Sequence, residues 1–127
     1  MEFTFNGVSS RNFNIKVKKS NHLSIPRIMI EFVEVQGRTD NLIIDEGSRE
    51  MLDIEIEAYI DCRNEDTYSY ALRLDEWLNS SNGYQDLTFD DNTNLKAIFV
   101  GQIDFNSITK NFEEILLQFK AYRESDL

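Results

Sequence analysis

Ten residues constrain this chain more than any others. In the stretch 51–60, Leu52, Ile54, Ile56, Ala58 and Ile60 alternate with Asp53, Glu55, Glu57 and Tyr59. Side chains of a strand point alternately to opposite faces, so this period of two predicts an antiparallel strand with one buried and one wet face. A strand of that kind needs partners, and the chain supplies them. Residues 2–5 read as a short strand ended by the turn pair Asn6-Gly7. Residues 13–17 alternate Phe13, Ile15 and Val17 with Asn14 and Lys16. Residues 86–89, 95–100 and 114–122 are further strands. In the last, Ile115, Leu117, Phe119 and Ala121 alternate with Leu116, Gln118, Lys120 and Tyr122, so both faces carry apolar residues and the strand belongs in the middle of a sheet or at an interface. Residues 27–36 form a long β-branched and aromatic run whose phase slips. Ile28, Ile30 and Phe32 share one face, Val33 and Val35 the other, as a bulge would produce.

One segment has the other period. Tyr70, Leu74, Trp77 and Leu78 stand at i, i+4, i+7 and i+8, which predicts an amphipathic helix over about 67–79. Asp66 is placed to cap its N-terminus, and Ser80 to Gly83 end it. The helix is expected to cover one face or end of the sheet, so the expected fold is all-β or α+β, mainly antiparallel β with one helix. The 127 residues match one domain and are long enough to bury about two-thirds of the unfolded surface.

Charge narrows the function. Thirteen basic residues stand against 23 acidic ones, a net charge of −10. Holding nucleic acid requires clustered Lys and Arg, as does an anionic membrane surface, so neither partner is expected. No apolar run reaches the length of a membrane span, and the first residues lack a signal-peptide pattern. Cys62 is the one cysteine, which suits a reducing cytoplasm. The charge is uneven. Residues 1–30 hold Arg11, Lys16, Lys18, Lys19 and Arg27 against Glu2, whereas residues 45–66 hold nine acids against Arg49 and Arg63. These segments can be solvated faces, can pair within one subunit, or can pair between neighbours and favour head-to-tail association.

Candidate chemistry is thin. Asp53, Glu55 and Glu57 repeat about 7 Å apart along one strand face, a spacing open to acid–base pairs, but alternation already explains them as a solvated face. Asp90-Asp91-Asn92-Thr93-Asn94 begins like a calcium loop, yet Leu95 stands where glycine is required and Gly101 where glutamate is required, so a polar turn is the better reading. His22 is the one histidine, and no motif joins it to Cys62 or to a serine. Soft ligands are too few for zinc, and phosphate- or dinucleotide-binding glycine motifs are absent. Asn79-Ser80-Ser81 matches a glycosylation sequon without a secretory signal to give it meaning. Trp77 lies on the apolar helix face and reads as core rather than as a binding aromatic. No catalytic residue, cofactor or metal is expected.

The chain opens Phe3-Thr4-Phe5-Asn6-Gly7-Val8-Ser9-Ser10, then Phe13-Asn14-Ile15. Ile25-Pro26 and the long run 27–36 follow, then Val35-Gln36-Gly37-Arg38-Thr39-Asp40. Next come the alternating strand, a helix ending Trp77-Leu78, the segment Leu87-Thr88-Phe89-Asp90-Asp91, and the closing strand. This order of features resembles the distal tail proteins of long, non-contractile-tailed bacteriophages, which show a Pro-Gly-Arg-Asp-Gly-like turn where this chain has residues 35–40. Gln36 stands where that family often has proline, and Asn41 where it often has glycine. The resemblance implies the ring-forming N-terminal domain, an antiparallel β-sandwich-like fold with one amphipathic helix and an extended β-hairpin (a belt) near residues 33–55 that embraces the next subunit. Val35, Gly37, Arg38, Thr39 and Asp40 are its candidate interface residues. It further implies a homo-hexamer between tail tube protein and tail-tip protein, a channel that lets DNA pass, and a place in the virion after synthesis in the bacterial cytoplasm. A single domain is expected, without the second galectin-like domain that many members carry. Three rivals stand beside it: another hexameric tail component of tube or terminator type, a carbohydrate-binding module, and an enzyme using the Asp53–Glu57 carboxylates.

Overall fold

The computed structural model describes residues 1–33, 36–37, 42–61, 66–80, 82–109 and 112–123, with 29–33, 42–49 and 106–109 described by their backbone. The elements run β1 (Phe3–Phe5), β2 (Val8–Ser9), a 3-10 turn (Ser10–Phe13), β3 (Ile15–Ser20), β4 (Ile28–Val33), β5 (Leu42–Arg49), β6 (Leu52–Asp61), α1 (Thr67–Asn79), β7 (Gln85–Phe89), β8 (Asn94–Val100), β9 (Asn106–Thr109) and β10 (Phe112–Tyr122). The fold is mainly β with one helix, as the two periodicities predict.

One antiparallel sheet carries the order β2-β1-β7-β8-β10-β6-β3, and β9 also pairs with β10. The doubly apolar strand is central. β10 lies against β6 along ten residue pairs, Phe112↔Asp61 to Ala121↔Leu52, with β8 and β9 on its other side. Its odd-numbered residues from Glu113 to Ala121 are buried, while Leu116 and Lys120 are exposed. The β1–β2 hairpin closes through Asn6 (φ 52) and Gly7 (φ 80) with Phe5 opposite Val8. Two successive positive φ values make the type I′ turn whose twist matches the strands, which is why Asn-Gly is so strong a signal there.

The sheet is strongly curled. Phe5 of β1 and Phe119 of β10 lie three strand positions apart, roughly 14 Å in a flat sheet, yet their ring centroids are 5.0 Å apart. The 3-10 turn touches β1, β2 and β3, bridging the two edges of the curl. Inside it sits α1, burying Tyr70, Leu74, Trp77 and Leu78. Trp77 stacks on Phe13 at 4.4 Å and on Phe3 at 5.8 Å, and its indole N–H donates to the Phe5 carbonyl at 2.9 Å. The Tyr70 hydroxyl donates to the Phe13 carbonyl at 2.6 Å. The helix thus ties itself by two buried hydrogen bonds to the first thirteen residues. Its N-terminus is capped by Asp66, whose carboxylate accepts from the Ser69 N–H at 2.7 Å and the Ser69 hydroxyl at 3.0 Å. Those bonds hold the Asp66 carboxyl below its ordinary pKa.

Two expected strands end differently. Phe13 belongs to the 3-10 turn, and β3 runs on to Ser20 through Lys18 and Lys19. The extension follows from position. β3 is an edge strand with a register shift between Val17 and Lys19, and lysines with a bulge are what an edge tolerates. In the run 27–36, the register shift falls between Ile28 and Ile30, while Phe32↔Ile43 and Val33↔Leu42 are consecutive pairs. The phase slip at Phe32-Val33 therefore marks a strand with apolar residues on both faces, and the bulge lies before it.

Candidate functional site

β4 and β5 pair with each other and form a separate two-stranded sheet. This is the extended hairpin, with arms Ile28–Val33 and Leu42–Arg49. It starts five residues earlier than position 33, and it ends before Leu52, where the chain enters the main sheet. Directly opposed residues share a face, so Ile30 and Phe32 lie with Asp45 and Ile43, and Glu31 and Val33 lie with Ile44 and Leu42. Each face therefore carries an apolar pair near the tip. A two-stranded ribbon is marginal in water by itself. With apolar positions on both sides, it gains most from being sandwiched.

Of the candidate interface residues, Gly37 is exposed at a turn with φ +86, and among the described residues no atom beyond its chain neighbours lies within 4 Å of where a Cβ would stand. The backbone conformation, not crowding, is what favours glycine there. Val35, Arg38, Thr39 and Asp40 lie outside the described residues, as does Cys62.

The carboxylates of Asp53, Glu55 and Glu57 lie on the outer face of β6. Asp53 makes an ion pair with Lys120, and Glu57 stands opposite Lys19 across the β3–β6 ladder. Lys18 lies 3.6 Å from Glu114 and 5.6 Å from the Tyr59 ring centroid. Strand order thus sets part of the basic N-terminal segment directly beside the acidic middle of the same subunit. Within the Asp90–Asn94 segment, Asp90 to Thr93 form the turn between β7 and β8, and Asn94 opens β8. Asp90 accepts the Glu2 N–H at 3.0 Å, and Asn92 takes φ 71. Among the described residues, no three His, Cys, Asp or Glu side chains converge on a point that would hold a metal.

A groove of about 440 Å³ runs between α1 and the segment after β8. Leu74, Phe99, Ile103 and Phe105 line it, and its polar pair is internally satisfied, Asn79 donating to Asp75 at 2.7 Å. Trp77 is buried, 6% exposed. The exposed Tyr84 packs edge-on against Tyr122, with centroids 5.2 Å apart and planes at 73°, which is not the coplanar platform that stacks on a sugar ring.

One polar cluster escaped the sequence reading. His22 is 4% exposed. Its Nε2 lies 2.7 Å from Asp91 Oδ2, its Nδ1 lies 2.8 Å from Ser20 Oγ, and its ring stacks on Phe89 at 3.9 Å and 9°. With the proton on Nε2, the ring donates to Asp91 and accepts the Ser20 hydroxyl. Serine, histidine and aspartate are thus joined. The serine, however, sits two residues away at the end of β3 and bonds Nδ1, and none of the described cavities is lined by the three residues together. The arrangement is a tie between distant segments. No local pattern joins residues 22 and 91, so only the curl of the sheet reveals it.

Asp91 accepts from His22 and from the Thr93 N–H, and these bonds lower its pKa from 3.8 to about 2. A carboxyl whose folded pKa is depressed stabilises the fold above its unfolded pKa, and that contribution fades as pH falls through 3.8 towards 2. In Asp91→Ala, the loss of stability between pH 5 and pH 2 is expected to be shallower than in the parent. Urea melts at half-unit pH steps measure it, and parallel curves would assign the acid sensitivity elsewhere.

Comparison with known proteins gives one clear result. No family model matches the sequence, and no curated protein matches it. Among solved structures, the fold matches the crystal structure of the SPP1 Dit (gp 19.1) protein, described as a paradigm of the hub adsorption apparatus in phages that infect Gram-positive bacteria. The TM-score is 0.75 at 15% sequence identity, over 94% of this chain and 48% of that one. The chain therefore spans about half the length of that protein, and what the two share is the fold.

Proposed function

We propose that this chain is a structural subunit of a phage tail tip, a distal-tail-type ring protein between the tail tube and the host-facing tip. The observation that carries the reading is the fold shared with a phage hub protein over 94% of the chain. The separate β4–β5 ribbon supports it. In this reading the ribbon is the belt, with Val35, Gly37, Arg38, Thr39 and Asp40 about its tip, and it docks on the neighbouring subunit. Head-to-tail docking, in which one surface of each subunit meets a different surface of the next, closes a ring if the rotation closes. The net charge of −10 suits a channel through which DNA passes without adhering. The function asks for no cofactor and no catalytic residue, and its location is the virion.

The test is the mass in solution by light scattering, across concentration and at two salt levels. Ring closure gives a species near six times 14.9 kDa. The charged strands β3 and β6 already face each other within the subunit, so the ring should survive raised salt. A monomer at every concentration, also in the presence of tube protein, would remove the ring reading.

A further inference from the structure

The ribbon leaves the main sheet through residues 21–27, and this stretch is held in an unusual way. Asn21 grips β6. Its amide N–H donates to the Glu55 carbonyl, its side-chain Nδ2 to the Asp53 carbonyl at 2.9 Å, and its Oδ1 accepts the Glu55 N–H at 2.7 Å. A side chain here continues the β3–β6 ladder past its end. The next residue, His22, grips the opposite side of the curl, the turn between β7 and β8, through Asp91 and Phe89. Two successive residues therefore clasp two strands that the sheet order separates. Leu23 and Ile25 then stand 72% and 77% exposed, so apolar burial of these two does not fix the segment. Pro26 is buried again, and the Arg27 carbonyl accepts the Glu50 N–H at 2.7 Å, the first rung of the ribbon.

We propose that Ser20, His22 and Asp91 form a latch that sets the root of the β4–β5 ribbon, with His22 a positioning residue for the docking element. The inference rests on the docking reading of the ribbon only for its consequence, because the latch itself is a property of the single subunit. A bidentate ring clamped by stacking has one orientation, whereas a serine or asparagine in its place would swing. Fixing the root reduces the ordering cost of docking, which is how preorganisation raises affinity.

The test compares His22→Phe, Asp91→Ala and Asp91→Asn. Phenylalanine keeps the stack on Phe89 and deletes both hydrogen bonds. Alanine at 91 removes the acceptor, and asparagine restores one. Hydrogen exchange is read at the amides of Ile28–Val33 and Leu42–Arg49, and separately at the β6–β10 ladder, in matched oligomeric states. The latch predicts ribbon exchange roughly tenfold faster in His22→Phe and Asp91→Ala, ladder exchange within about twofold of the parent, and near-parent behaviour in Asp91→Asn. Equal acceleration in ribbon and ladder would make His22 an ordinary core residue and overturn the latch. Unchanged ribbon exchange would overturn it too. Faster ribbon exchange with undiminished ring formation would uphold the latch and count against docking through the ribbon, so the two readings fail separately.

Discussion

Trp77→Ala is expected to lower the stability of the domain by about 3–5 kcal/mol, the usual cost of deleting a large aromatic from a core. Three features put it at the upper end. The indole touches Phe3, Phe5 and Phe13 together, so its loss opens a cavity bounded by aromatic rings that come from strands and a 3-10 turn and cannot collapse together. It also takes away the donor to the Phe5 carbonyl, a buried bond. Finally, the contacted residues all belong to the first thirteen, which the helix anchors. For a chain of this length the loss corresponds to a fall in melting temperature of roughly 10–20 °C. Trp77→Phe keeps a ring against Phe13 and should lose only about 1–3 kcal/mol. Circular dichroism melts of the two variants decide the matter. A Trp77→Ala protein melting within two or three degrees of the parent would mean that the side chain does not hold the core, and would return it to the list of candidate binding aromatics.

The same residue shows why much of the fold was legible. Helix 67–79 was readable to the residue because its signals are local: an apolar spacing of four, three and one, and a carboxylate one position before the first turn. The Asn6-Gly7 hairpin and the alternating strands β6 and β10 were readable for the same reason. What was not legible depends on pairing. β2 has only two residues, and β5 includes Asp45-Glu46-Gly47-Ser48, a composition poor in strand formers, so its strand state comes from β4 beside it. β9 exists because it completes the edge of β10 left open beyond β8. The uneven charge could be counted in the sequence, but whether it paired within or between subunits turned on the adjacency of β3 and β6, a fact of strand order. The run 27–36 was readable as a strand, whereas the hairpin it joins was implied only by the resemblance; the limits of its arms came from the register, and the His22–Asp91 tie spans 69 residues.

Replacing residues 37–46 with a short Gly-Ser turn is expected to prevent ring formation while leaving the monomer folded. The argument has two independent parts. The ribbon is absent from the strand order of the main sheet, so shortening it removes no rung between β2 and β3 and should leave the thermal transition nearly in place. The deletion does remove Ile43 and Leu42, which supply the β5 half of the apolar pair on each ribbon face, and with them Ile44, which stands opposite Glu31. Burying such a side chain fully is worth about 1.5–3 kcal/mol. Even if docking buries each only by half, the three together amount to about 2–4 kcal/mol per interface, or roughly thirtyfold to a thousandfold in association. Because a closed ring repeats the interface at every subunit, the loss compounds, and the variant should scatter as a monomer at concentrations where the parent is assembled. Equal assembly of variant and parent would exclude the ribbon as the docking element, whatever the fold resembles. A variant that no longer melts cooperatively would instead show that the ribbon belongs to the core of its own subunit, contrary to the topology.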